Sequence, residues 1–189
     1  GLGLICYSVL IYFEFSVYTD MALGIGALFG IKLPENFNFP YISRSISDFW
    51  RRWHITLNTW FRNYVFMPLE YKRRRVKFYR VQTHILIVFF LTGFWHGASW
   101  NFILWGLYFG VILAVEASGL GRTLKRAPAV LQHGYSLALI LIGWVFFRIT
   151  EVQQWGPFLG ALFGWNGWVG ANTLRSMNIL LYLPLLVIG

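Results

Sequence analysis

The 189-residue sequence has one cysteine, seven acidic side chains and few charges of either sign, 12% in all. With Cys6 alone there is no internal disulfide framework, and its apolar surroundings fit a small packed or lipid-facing residue. The scarcity of charge excludes an ordinary soluble domain. Such a domain needs a polar face on nearly every helix, and residues 85–115 and 134–147 offer none. Also missing are a glycine-rich phosphate loop, a serine nucleophile elbow, a Cys–His arrangement, an internal repeat and a low-complexity tract. Catalysis through a covalent nucleophile therefore has no candidate. Four histidines without a cluster of Cys, Asp or Glu form no metal-ligand set.

What remains is 57% hydrophobic and 20% aromatic, arranged in long unbroken runs, which is the profile of an all-α polytopic membrane protein. The net charge of +9 is concentrated: Arg44, Arg51, Arg52, Arg62, Lys72, Arg73, Arg74, Arg75, Lys77 and Arg80 supply ten of the sixteen basic residues. A block of this kind beside apolar spans reads as a cytoplasmic loop facing anionic lipid. No nucleic-acid partner is expected, because Trp50, Trp53, Trp60, Phe61, Tyr64 and Phe66 recur at helix spacing and suit an interfacial belt. The chain starts at Gly1 without Met and ends within "NILLYLPLLVIG", which reads as a piece of a longer protein.

Residues 1–30 are apolar apart from Glu14 and Asp20, and fit one tilted span or a span plus a half-helix. Carboxylates at that depth are site candidates, or else ion-pair partners for the arginines downstream. "GIKLPENFNFPYISRS" ends the helix in a short irregular link. A capping-box pattern, Ser45-Ile46-Ser47-Asp48, then opens an amphipathic helix with Phe49, Trp53, Leu57 and Trp60 on one stripe. After a basic loop comes the apolar stretch 83–117. Its thirty-five residues would make a straight helix of about 50 Å against a hydrocarbon core of about 30 Å. Gly93 and Gly97, with Thr92, His96, Ser99 and Asn101, mark a break, so a hairpin of two segments meeting near His96 is predicted. Basic residues on both sides of the stretch favour a hairpin too. A further span covers 134–149, an interfacial or lumenal segment follows, and the last apolar run begins another span.

An imidazole in mid-membrane needs a polar partner or a cavity. His96 fits a structural histidine bonded to a backbone carbonyl, or a neutral base able to take a hydroxyl proton, as acyl transfer to an alcohol requires. His54, amid Trp50, Trp53 and Arg51, fits an interfacial ring with a polar tip, or a second group facing the same site. His84 and His133 lie at span edges and read as snorkelling or solvated.

The segments "FSVYTDMALGIGALFGIKLPENFNFPYISRSISDFWRRWHITLNTWFRNYVFMPL", "GFWHGASWNFILWG" and "GWVFFR" resemble the membrane-bound O-acyltransferase family, in its alginate O-acetylation branch. The resemblance is dense over residues 15–110 and returns at 143–148. It implies a single membrane domain over 1–189 lacking its N-terminal part, with the amphipathic helix and basic cytoplasmic loop at 45–80, and a funnel or tunnel through a bacterial inner membrane. The family's catalytic histidine falls on His96, and His54 matches a histidine of the same conduit that orients the acceptor, polarises the carbonyl or relays a proton. Arg51 and Arg52 are expected to position an anionic donor or the helix itself. Asn101 and Asp20 complete the expected substrate-binding set.

No bound cofactor or metal is implied. The donor is an acyl thioester, acetyl-coenzyme A or an acyl carrier protein, on the cytoplasmic side, for which the basic loop 72–80 is a docking candidate. The acceptor is a hydroxyl of an exported polysaccharide, reached with periplasmic O-acetylation proteins. D-alanyl or lipid acyl transfer, and a non-catalytic conduit or scaffold, are the alternatives. Two departures stand out: "EYKRRR" where the branch has Gly-Gly-Asn-Arg, and Asn63 in place of an aspartate.

Overall fold

The computed structural model describes residues 2–73, 75 and 78–162, and among these it is all helical. The chain forms two compact units, Gly1–Val152 and Gln153–Gly189. In the second, the described residues carry one short helix, Trp155–Leu162. The last apolar run lies outside the described residues, as do Arg74 and Lys77 of the basic loop.

In the first unit, α1 (Leu2–Leu28) is one continuous helix of 27 residues, about 40 Å long. It stops at Gly30, whose φ of 74° only glycine adopts freely; Gly30 N–H donates to Ala27 O and Ile31 N–H to Gly26 O, the paired bonds of a Schellman end. The link that follows holds Pro34 and Pro40 and delivers the chain to α2 (Ile46–Arg52). Here the capping expectation holds, as Ser45 Oγ accepts from Asp48 N–H at 3.0 Å. The remaining amide donors of this end are met from another element. Glu116, buried at the end of α6, accepts from Ile46 N–H and Ser47 N–H, each at 2.9 Å.

The expected single amphipathic helix is in fact two. It breaks after α2 at Trp53 and His54 and resumes as α3 (Ile55–Phe61). The i, i+4 stripe divides accordingly: Phe49 and Trp53 are buried, whereas Trp60 is exposed. A π turn over Arg62–Phe66 leads into α4 (Met67–Lys72).

The overlong stretch breaks where its length required, into α5 (Arg80–His96) and α6 (Trp100–Val115). Gly97 supplies the break with φ 156°. Gly93 does something else: it sits inside regular helix and lets the two arms touch. A Cβ on Gly93 would overlap the Phe102 carbonyl, and one on Gly106 would overlap the Phe89 carbonyl and lie 3.0 Å from Gly93 Cα. Beyond a π turn at Glu116–Leu120 come α7 (Gly121–Leu124) and α8 (Ala129–Arg148). α8 packs on α6, with Gly143 against the Phe109 ring.

Among the described residues, three helical stretches are long and apolar enough to cross a bilayer: Gly3–Leu28, Trp100–Leu124 and Ala129–Arg148. With α5 they accord with the all-α membrane fold expected from composition. The core between them is aromatic. Phe49, Trp105, Phe109 and Trp144 are at most 1% exposed, and ring centroids lie 5.6 Å apart for Phe49–Trp53, 5.0 Å for Trp53–Trp144 and 5.1 Å for Trp50–Phe109.

Candidate functional site

The α2–α3 break creates the site. His54 takes a left-handed backbone conformation, φ 46° and ψ 54°, which costs a non-glycine residue about 1 kcal/mol or more and persists only where neighbours enforce it. The link after α1 is the first of these neighbours, for Ile55 N–H donates to Asn36 O at 2.9 Å and Asn38 N–H to Arg52 O at 3.0 Å. Asn58 is the second; its amide nitrogen reaches the carbonyls of Trp50 at 2.9 Å, Trp53 at 2.6 Å and His54 at 3.2 Å. The Trp50 and Trp53 carbonyls freed by the break thus find a donor, and the His54 carbonyl also accepts from Asn58 N–H at 3.1 Å.

Held in this way, the His54 ring meets Phe15 edge-on at 4.7 Å and lies 6.2 Å from Trp95, the residue before His96. His96 ends α5 and stands edge-on to Trp105 at 5.0 Å and to Phe147 at 5.5 Å. Both histidines line one open cavity of about 410 Å3, with Glu14, Phe15 and Tyr18 of α1, Trp53, Trp105 of α6, and Trp144 and Phe147 of α8. That volume suits a small-molecule site, with apolar walls and few polar groups. A larger space of about 700 Å3 lies by Tyr79–Gln82 and Ser118, away from both histidines. Among the described residues no group of three or more His, Cys, Asp or Glu could hold a metal.

The remaining expected site residues lie elsewhere. Arg51 is exposed and pairs with Asp48 at 3.3 Å. Arg52 pairs with Asp48 at 3.2 Å and donates to Asn38 O at 3.2 Å, so it ties the link to α2. Burial alone would raise the Asp48 pKa; the Arg44 backbone N–H and the Arg52 and Arg51 guanidinium groups outweigh it and hold the carboxyl below its ordinary value. Asp20 is exposed on α1 and does not line the cavity, whereas Glu14 does. Asn101 is fully buried one turn before Trp105, with neither amide atom hydrogen-bonded among the described residues.

Two histidines expected at solvated span edges turn inward. His84 is 0% exposed and its Nδ1 lies 2.6 Å from Glu70 Oε1, whose other oxygen is 2.9 Å from Arg80. His133 Nδ1 donates to Ser43 O at 3.2 Å. Each is needed to satisfy a group that long-range packing buries, which its position in the sequence does not reveal. Asn36 carries no signal in the sequence beyond being one of several polar residues in a link. Its nearness to His54 depends on a contact across eighteen residues.

A family model described as MBOAT, membrane-bound O-acyltransferase family, matches residues 2–146. A probable alginate O-acetylase of Azotobacter vinelandii is 37% identical over 177 residues, 94% of this chain and 34% of that protein. A peptidoglycan O-acetyltransferase of Helicobacter pylori is 44% identical over 164 residues, 85% of this chain and 31% of that protein. A teichoic acid D-alanyltransferase of Bacillus subtilis is 43% identical over 112 residues, 57% of this chain and 28% of that protein. The chain spans about a third of the length of these relatives.

Proposed function

The chain belongs to the membrane-bound O-acyltransferase family, and from that premise we propose that the protein moves an acyl group, acetyl first of all, from a thioester to a hydroxyl of an exported cell-surface polysaccharide. It crosses the bacterial inner membrane several times. The donor, acetyl-coenzyme A or an acylated carrier protein, comes from the cytoplasmic side, where the basic residues around Lys72–Arg80 attract an anionic partner. The acceptor meets it on the other side, with periplasmic O-acetylation proteins as partners. Acetyl is preferred to D-alanyl because the acetyl-transferring relatives match 85% and more of the chain, against 57% for the B. subtilis D-alanyltransferase.

The observation that carries this reading is the shared cavity of His54 and His96, forty-two residues apart in sequence and both in the lining of one largely apolar space. A neutral imidazole there is a base set among apolar walls. His96 takes the proton of the acceptor hydroxyl as its oxygen bonds to the thioester carbonyl carbon. The tetrahedral intermediate collapses, the C–S bond breaks, and the imidazolium returns the proton to the departing sulfur. Ester and thiol result, with His96 restored. Apolar walls also limit the competing attack by water.

The test is the O-acetyl content of exported polymer in cells carrying full-length His96→Ala or His54→Ala protein. Loss of acetylation in His96→Ala, with normal membrane insertion, is expected. Normal acetylation in both variants, with none in a deletion strain, would replace the enzyme by a non-catalytic conduit.

A further inference from the structure

We propose that Asn36 is a positioning residue of this site: its side-chain oxygen fixes His54 as the tautomer protonated at Nδ1, which leaves Nε2 as an oriented proton acceptor in the cavity. The proposal rests on the acyl-transfer reading and adds to it a residue and a proton position.

The geometry determines which atom is which. Thr56 backbone N–H can only donate, and it lies 3.1 Å from the Asn36 Oδ1 position, so that atom is the amide oxygen and not the nitrogen. Thr56 Oγ1 donates to the same oxygen at 2.9 Å. His54 Nδ1 is 3.2 Å from it. An oxygen already serving two donors has no proton to offer, so the proton in the third contact belongs to Nδ1. A neutral imidazole with hydrogen on Nδ1 carries its lone pair on Nε2. Nε2 makes no hydrogen bond among the described residues, and the ring forms part of the cavity wall.

Asn36 is 7% exposed, which shelters the bond from exchange with water. The same residue also holds the His54 backbone, through Asn36 O and Ile55 N–H at 2.9 Å. Asn36 therefore holds the strained backbone at His54 through its carbonyl and the proton on the ring through its side chain. His96 differs: its contacts are with the rings of Trp95, Phe102, Trp105 and Phe147, and it forms no hydrogen bond among the described residues. Of the two imidazoles, His54 alone has an oriented tautomer. His96 takes the hydroxyl proton; Nε2 of His54 can accept that proton from the His96 imidazolium, which makes His54 an imidazolium with Asn36 Oδ1 still bonded to Nδ1–H. The proton returns by the same route to the departing sulfur, and both rings end neutral.

The experiment uses the full-length protein in detergent, with acetyl-coenzyme A as donor and purified polymer as acceptor. Asn36→Asp keeps an acceptor for all three donors and adds a negative charge beside the ring. It should move the acid limb of the kcat profile upward by about one pH unit or more, with KM within about twofold of wild type. The other titratable groups of the cavity, Glu14 and Tyr18 of α1 and His96 of α5, are unchanged in this variant. Asn36→Leu should lower kcat about a hundredfold. A residue that merely held the link would leave the acid limb in place in Asn36→Asp, and that result overturns the proposal. A second measurement is independent of turnover: nitrogen-15 spectra of the His54 ring should report hydrogen on Nδ1 in wild type and a tautomer mixture in Asn36→Leu. Hydrogen on Nε2 in wild type overturns the proposal even if acyl transfer is intact. If wild type transfers no acyl group, or His96→Ala transfers it normally, the functional reading fails and the ring spectra alone decide the role of Asn36.

Discussion

Gly106→Ala should part the α5–α6 hairpin. The added Cβ would overlap the Phe89 carbonyl and come within 3.0 Å and 3.1 Å of Gly93 Cα and N. All three are backbone atoms, so no side chain can swing aside and the arms themselves must move. Overpacking of this kind costs about 1–3 kcal/mol, and a backbone obstacle favours the upper end. Against it stands the gain from alanine in a helix, about 1 kcal/mol. The net loss is therefore about 1–2 kcal/mol, and Gly93→Ala should match it, since its Cβ would overlap the Phe102 carbonyl. Thermal unfolding of the full-length protein in detergent reads the loss as a lower Tm. Gly134→Ala is the control, because nothing lies within 4 Å of its Cβ position; it should be neutral or slightly stabilising. A Gly106→Ala protein as stable as the Gly134→Ala control would refute the close approach of the two arms.

Three other outcomes are expected. Glu116→Gln replaces one of two acceptors with an NH2 group and leaves Ile46 N–H or Ser47 N–H unmet, so thermal stability should fall by about 1–3 kcal/mol; an unchanged Tm would count against the cap. Asp48, held below its ordinary carboxyl value, stabilises the fold above about pH 4, the unfolded value, and loses that contribution as pH falls through its folded value. Asp48→Asn should therefore lower the Tm by a constant amount between about pH 5 and 8, with the gap closing in acid; a gap that widens in acid contradicts the sign. Arg51→Ala should leave stability within about 0.5 kcal/mol of wild type, as its guanidinium is exposed, while Arg52→Ala also loses the bond to Asn38 O and should cost more; equal effects in denaturant titration would argue against the tie.

The parts legible in the sequence were those that length and polarity determine. A stretch of thirty-five apolar residues cannot stay one helix inside a bilayer, so the α5–α6 hairpin followed, and Ser45 announced its cap. Gly93 was misread as part of the break because a glycine required by a neighbour looks the same as one required by a turn. The break at Trp53–His54 left no mark at all. The aromatic stripe runs through it, neither residue is glycine or proline, and the strain at His54 is sustained by Asn36 from the distant link and by Asn58 one turn on in α3. The residues alone leave His54 either an interfacial ring or a second group at the site of His96, the family resemblance favours the second, and the fold brings both to one cavity. Arg51 and Arg52 stood beside His54 in the same motif, yet helix periodicity turns them to Asp48 and away from the cavity wall. His84 shows the reverse error: its span-edge position suggested water, but Glu70 and the π turn before α4 enclose it.

The central claim is that the two-histidine cavity carries out acyl transfer. Its most direct test is a single-turnover assay of full-length protein with labelled acetyl-coenzyme A and purified polymer. Wild type should pass label to polymer hydroxyls, and His96→Ala, folded to the same Tm, should be slower by about a hundredfold or more. Transfer at the wild-type rate by His96→Ala would contradict the account.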